Sequence, residues 1–144
     1  MRKKPAPARK ALRKKVLVIE DDEDVSKILV LLLQSMNVDV LVADDGMTGL
    51  QMARDGNVDL VLVDIHLPGM NGVEVIRSIR ATPKLAALPL IVITGNSTVE
   101  YIRETARMGA NDVLVKANVL AGDGLDRIRK YLGDPPKPAR ARRK

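Results

Sequence analysis

The stretch from Val58 to Gly72 constrains this chain more than any other. Leu60-Val61-Leu62-Val63 is a continuous apolar run that ends on Asp64 and passes into the loop Ile65-His66-Leu67-Pro68-Gly69-Met70-Asn71-Gly72. Such a run suits a central strand of a parallel sheet, covered on both faces. A carboxylate at the carboxyl end of such a strand lies where open α/β sheets bind ligands. An ordinary turn or cap residue is the alternative reading of Asp64 taken alone.

The rest of the chain alternates in a way that fits such a sheet. Strands are expected at Lys15–Glu20, Val38–Ala43, the Asp64 segment, Leu90–Thr94 and Asp112–Lys116. Val25, Ile28, Leu29, Leu32, Leu33 and Met36 recur at helical spacing and predict a helix from about Asp22 to Met36. A second runs to about Asp55 and is weakened by Gly49; a third spans Gly72 to Ala81 with Val73, Ile76 and Ile79 inward. The segment Ser97–Met108 is helical with Val99, Ile102 and Ala106 on one side, and a last helix, poorly begun because of Gly122 and Gly124, reaches about Leu132. Five strands alternating with five helices predict an α/β fold with a doubly wound parallel sheet. A (β/α) barrel needs more units.

Charge divides the 144 residues in three. Residues 1 to 15 carry eight positive charges, and 134 to 144 carry five against Asp134; residues 16 to 133 hold 11 basic and 17 acidic side chains. The expected organisation is a basic disordered arm at 1–14, one domain at 15–133 and a basic Pro/Arg-rich tail at 134–144. The absence of Cys excludes disulfides and thiolate metal sites and fits a reducing, cytoplasmic setting. The longest apolar run, Ile28 to Leu33, is too short to span a bilayer.

In a doubly wound sheet all strand ends face one rim. Glu20, Asp21, Asp64, Thr94 and Lys116 arrive there from distant segments. Each has a plain explanation alone, but together they make a coherent chemistry. Clustered carboxylates without His or Cys ligands suit Mg²⁺, and an aspartate can act as a nucleophile that forms an acyl phosphate. No Gly-x-x-x-x-Gly-Lys loop occurs, so nucleotide hydrolysis is not indicated.

On these residues the chain resembles the receiver domain of two-component response regulators, close to the single-domain chemotaxis and phosphorelay type. The resemblance rests on Val16–Asp22, Asp64–Gly72, Thr94-Gly95, Gly109-Ala110 and Lys116, and it covers about Lys15 to Leu132. It implies a flavodoxin-like sheet of order 2-1-3-4-5. It also implies that Asp64 accepts a phosphoryl group from a histidine kinase or a histidine phosphotransfer protein. Asp21 and Asp64 would then bind Mg²⁺ directly, Glu20 through water and His66 through its backbone carbonyl. Thr94 would hydrogen-bond the phosphoryl group, and Lys116 would pair with it. Output would go to a partner protein at the face formed by the fourth helix, fifth strand and fifth helix. A stand-alone signalling switch or phosphorelay shuttle is expected, not an enzyme acting on other molecules.

Three residues depart from the family pattern. Ala117 stands where a proline usually follows the lysine, Val113 replaces the usual switch aromatic, and His66 is uncommon two positions after the acceptor. A cis bond before a residue other than proline costs about 3 kcal/mol, so a trans Lys116–Ala117 bond is expected. With Val113 in place, output is expected to rely on backbone movement around the fourth strand and fourth helix. Because only its carbonyl is expected at the metal, the His66 side chain reads first as a tolerated rim residue; the sharper reading is that its imidazole, with Asn96, tunes phosphoryl lifetime. Two other readings are a nucleic-acid-associated regulator using its basic tails as salt-sensitive grips, and a pseudo-receiver that binds partners without phosphorylation.

Overall fold

The computed structural model describes residues 13–133, so the basic segments on either side of that range lie outside the described residues. Five strands form one parallel sheet in the order β2-β1-β3-β4-β5. They are β1 (Lys15–Ile19), β2 (Asp39–Ala43), β3 (Leu60–Asp64), β4 (Leu90–Thr94) and β5 (Asp112–Val115). The helices are α1 (Glu23–Gln34), α2 (Gly46–Asp55), α3 (Gly72–Ala81), α4 (Val99–Arg107), α5 (Lys116–Leu120) and α6 (Leu125–Leu132). A short 3₁₀ turn, Pro83–Leu85, follows α3.

Alternation along the strands divides the core between the two faces, because successive side chains point to opposite sides. Leu17, Ile19, Val61 and Val63 pack with Val75, Ile76 and Ile79 of α3 and Leu50 and Ala53 of α2. Val16, Val18, Leu60 and Leu62 pack with Leu29 and Leu33 of α1 and Ile128 and Leu132 of α6. All five residues of β3 are buried, as a central strand requires.

Three expectations need correction. Among the described residues there are six helices and not five, because Lys116, expected to end the last strand, instead opens the short helix α5, which stops before Gly122 and Gly124. Both glycines have positive φ, 96° and 85°, a left-handed backbone that no helix continues through. In α4, Val99 and Ala106 point outward, and the inward residues are Tyr101, Ile102 and Thr105. Gly49 is less a weak point than a contact: a Cβ there would lie 2.4 Å from Ile19 Cδ1. At the other end of the domain, Arg13 donates to Asn37 Oδ1 at 3.2 Å and pairs with Asp39.

Candidate functional site

Strand register brings the rim residues together. Ile19 pairs with Val63, so Glu20 and Asp64 stand level on adjacent strands. Asp64 pairs with Ile93, Ile93 with Leu114 and Thr94 with Val115, which sets Thr94 one step and Lys116, just past the end of β5, two steps beyond the level of Asp64. Asp22, just past the acidic pair, caps α1: its carboxylate accepts from the backbone N–H groups of Asp24 and Val25. That cap turns the chain away from the rim and leaves Glu20 facing inward and Asp21 exposed. On the opposite side, Asn71 and Glu74 form a reciprocal capping box at the start of α3. Gly72 lets this helix start against the acceptor loop, since a Cβ there would lie 2.6 Å from both Asp64 O and Ile65 Cα.

One oxygen each of Glu20, Asp21 and Asp64 fall within 4.8 Å of one another. Lys116 Nζ reaches across the sheet to 3.2 Å from Asp64 Oδ2 and 3.2 Å from Glu20 Oε1. The Asp64 contact is a directed hydrogen bond. The Glu20 contact is an ion pair without that alignment, and Oε1 is left as a buried oxygen with no hydrogen-bond partner. The other Glu20 oxygen accepts from Asp22 N at 3.1 Å. Burial raises the Glu20 carboxyl above its usual range, and the Asp64 charge adds to this against the lowering by the Asp22 N–H and Lys116. For Lys116, burial pulls downward, but the charges of Asp64 and Glu20 and its close contacts with both outweigh it and raise the ammonium.

These residues fit a hard divalent cation. The donor set is all oxygen, it is short of positive charge, and a buried carboxylate oxygen of Glu20 lacks a partner. Thr94 is fully buried, and its Oγ1 accepts from Asn96 N at 3.0 Å. The Lys116–Ala117 bond is trans, as expected, since no described peptide bond is cis. Lys116 is the first residue of α5 and still reaches both carboxylates.

His66 lies two residues beyond Asp64 and donates its backbone N–H to Asp64 Oδ1 at 3.1 Å. Its ring stacks on Tyr101, with centroids 6.4 Å apart and planes 24° from parallel. Asn96 instead turns its Oδ1 to Thr98 N and Oγ1, both at 2.9 Å. By resemblance Tyr101 is expected on the output face as a surface residue, and nothing in linear spacing links it to His66. Val113, at the place of the usual aromatic, is a buried aliphatic residue of the core.

The chain is similar in sequence and in fold to known proteins. Residues 16–122 match the family model of the response regulator receiver domain. The chemotaxis protein CheY-3 of Vibrio cholerae is 36% identical over 121 residues, covering 82% of this chain and 93% of that protein. A response regulator from Chloroflexus aurantiacus superposes with a TM-score of 0.76 at 26% identity, covering 83% of this chain and 98% of the other. The receiver domain of a sensor histidine kinase from Pseudomonas aeruginosa, solved with a magnesium ion in its active-site cleft, gives a TM-score of 0.74 at 28% identity. It covers 85% of this chain and 99% of that one.

Proposed function

The chain belongs to the response regulator receiver domain family, and from this we infer that Asp64 takes a phosphoryl group from a phosphohistidine donor and that the acquired charge switches partner binding or passes onward in a relay. The observation that carries this reading is the shared reach of Lys116 Nζ, 3.2 Å from both Asp64 and Glu20, beside the third carboxylate of Asp21.

An Asp64 oxygen attacks phosphorus. The P–N bond to the donor imidazole breaks, and its electron pair stays on the nitrogen, leaving an acyl phosphate. Hydrolysis later restores the carboxylate and releases inorganic phosphate. Lys116, already at Asp64 Oδ2, pairs with the incoming phosphoryl oxygens. The Thr94 hydroxyl accepts from Asn96 N and keeps its own proton to donate. Gly95 leaves the approach open, with nothing within 4 Å of where a Cβ would sit. Glu20, Asp21, Asp64 and the backbone carbonyl of His66 would hold Mg²⁺, which when bound offsets carboxylate and phosphoryl charge.

The partners under this reading are a histidine kinase or phosphotransfer protein and an output protein on the face of α4, β5 and the helices after it. A cytoplasmic location belongs to the same proposal; no helix among the described residues is long and apolar enough to cross a membrane. A second reading rests on the charge division, eight basic residues at 1–15 and five at 134–144 flanking an acidic domain. It adds salt-sensitive binding of nucleic acid or another polyanion by the tails. Titration across salt with and without the tails tests it.

The deciding experiment is incubation with Mg²⁺ and acetyl phosphate followed by intact mass. The expected result is one phosphoryl adduct that Asp64→Asn abolishes. An adduct that survives this substitution, or none in the parent, overturns the assignment.

A further inference from the structure

Two routes from the rim meet at one side chain. The first leaves Asp64: its Oδ1 accepts from the backbone N–H of His66, and the His66 ring stacks on Tyr101. The second leaves Thr94: its Oγ1 accepts from Asn96 N, Asn96 Oδ1 accepts from Thr98 N and Oγ1, and Thr98 Oγ1 accepts from Tyr101 N at 3.4 Å. Tyr101 lies in the first turn of α4 and packs, partly buried, on the core beneath the helix. Its own carbonyl is held by Thr105 Oγ1 at 2.8 Å.

We propose that Tyr101 is the residue through which the state of Asp64 and Thr94 is conveyed to α4. The inference rests on phosphoryl transfer to Asp64 as argued above. In the free carboxylate, Oδ1 serves His66 N–H and Oδ2 serves Lys116. Conversion to an acyl phosphate makes one of these a bridging oxygen, a much poorer acceptor, and adds new acceptors about one bond length further out. Either donor must then shift. Movement at His66 alters the ring stack directly. A Thr94 hydroxyl drawn to the phosphoryl group carries Asn96 N, and with it the Asn96–Thr98 turn that caps α4. Both changes arrive at the first turn of α4, and neither passes through Val113. The α4 surface beyond carries exposed Val99 and Met108, so movement of this turn alters an apolar face.

The chain has two tyrosines and no tryptophan, which makes the test direct. In Tyr131→Phe, Tyr101 is the only phenol, and its emission is followed as acetyl phosphate is added with Mg²⁺. Adduct is quantified by intact mass on the same sample. The expected result is a change in Tyr101 emission proportional to adduct, at least twofold smaller per adduct in the background of His66→Ala. On the full chain, hydrogen exchange at Val99–Arg107 is expected to change on phosphorylation and to change at least twofold less in Tyr101→Ala. Adduct with unchanged emission, or the same α4 exchange response without Tyr101, overturns the relay and leaves the phosphoacceptor reading intact. Absence of adduct in the parent chain overturns both.

Discussion

Glu20→Gln separates what the rim costs the fold from what it offers a cation. Glu20 is 2% exposed, with Oε1 unpartnered and Asp64 nearby. At an effective dielectric of about 20, the pull of Lys116 on Glu20 is about 5 kcal/mol and the repulsion from Asp64 is at least about 3.5 kcal/mol. These nearly cancel once exposed Asp21 adds its own repulsion. Burial of the carboxylate charge, costlier than burial of a neutral amide in the same place, then decides the sign, in agreement with burial as the leading cause of the raised Glu20 carboxyl. Removing the charge while keeping the shape should stabilise the metal-free protein by about 1 kcal/mol, a rise in Tm of about 3–5 °C.

The pH dependence follows from the same direction. Because the folded carboxyl is raised above 4.5, its contribution to stability is fully present below that value and is lost as pH rises through the folded one. The advantage of the variant should therefore be absent in acid and should grow toward neutrality. Mg²⁺ reverses the ranking. At a hundredfold excess over Kd, a bound cation stabilises the parent by about 2.7 kcal/mol, and the variant should gain less. Urea titrations in EDTA and in Mg²⁺, each at acid and neutral pH, read all of this. A variant less stable than the parent in EDTA at neutral pH, or one gaining as much from Mg²⁺, would refute the reasoning.

Gly72→Ala should destabilise by about 1–3 kcal/mol and slow adduct formation, because the new Cβ meets backbone at Asp64 and Ile65; urea midpoints and timed intact mass check it. Arg80 donates to the carbonyls of Gly109, Ala86 and Leu88 and to Asn111 Oδ1, tying together the two connections that lead into β4 and β5 at the end of the sheet opposite the rim. Its replacement by Ala should cost about 2–3 kcal/mol in urea while adduct formation in the folded protein persists.

Sheet and rim were legible because their signals are continuous. β3 is apolar from Leu60 to Val63 and buried throughout, and α3 spans Gly72 to Ala81 as its spacing predicts. The phase of α4 was not legible, for a physical reason. Its buried seam includes Thr105, 1% exposed, whose hydroxyl is satisfied by Tyr101 O within the helix. A threonine paired in this way packs like an apolar residue and reads like a polar one. The exposed Val99 invites the opposite error. The capping box at Asn71 and Glu74 was within reach of a residue-by-residue reading, since its signal is the three-residue interval. The stack of His66 on Tyr101 joins residues 35 positions apart and has no such signal.

Ala117 shows how a missing family residue need not disturb the group beside it. Val115 ends β5 in extended geometry, and α5 begins at Lys116 itself, so the lysine stem starts from a helical residue anchored through Val119 in the core. Its aim comes from that placement and from two carboxylates, each 3.2 Å away, which together outweigh the penalty of its partial burial. One ammonium shared by Glu20 and Asp64, with Asp21 alongside, still leaves the rim short of positive charge. That deficit is one a bound cation would offset under the proposed function. Uptake is thus fixed by strand ends and helix starts, elements that tolerate Ala117. The proposed relay depends instead on loops and ring contacts, and there the departures Val113 and His66 coincide with the contact of His66 on Tyr101.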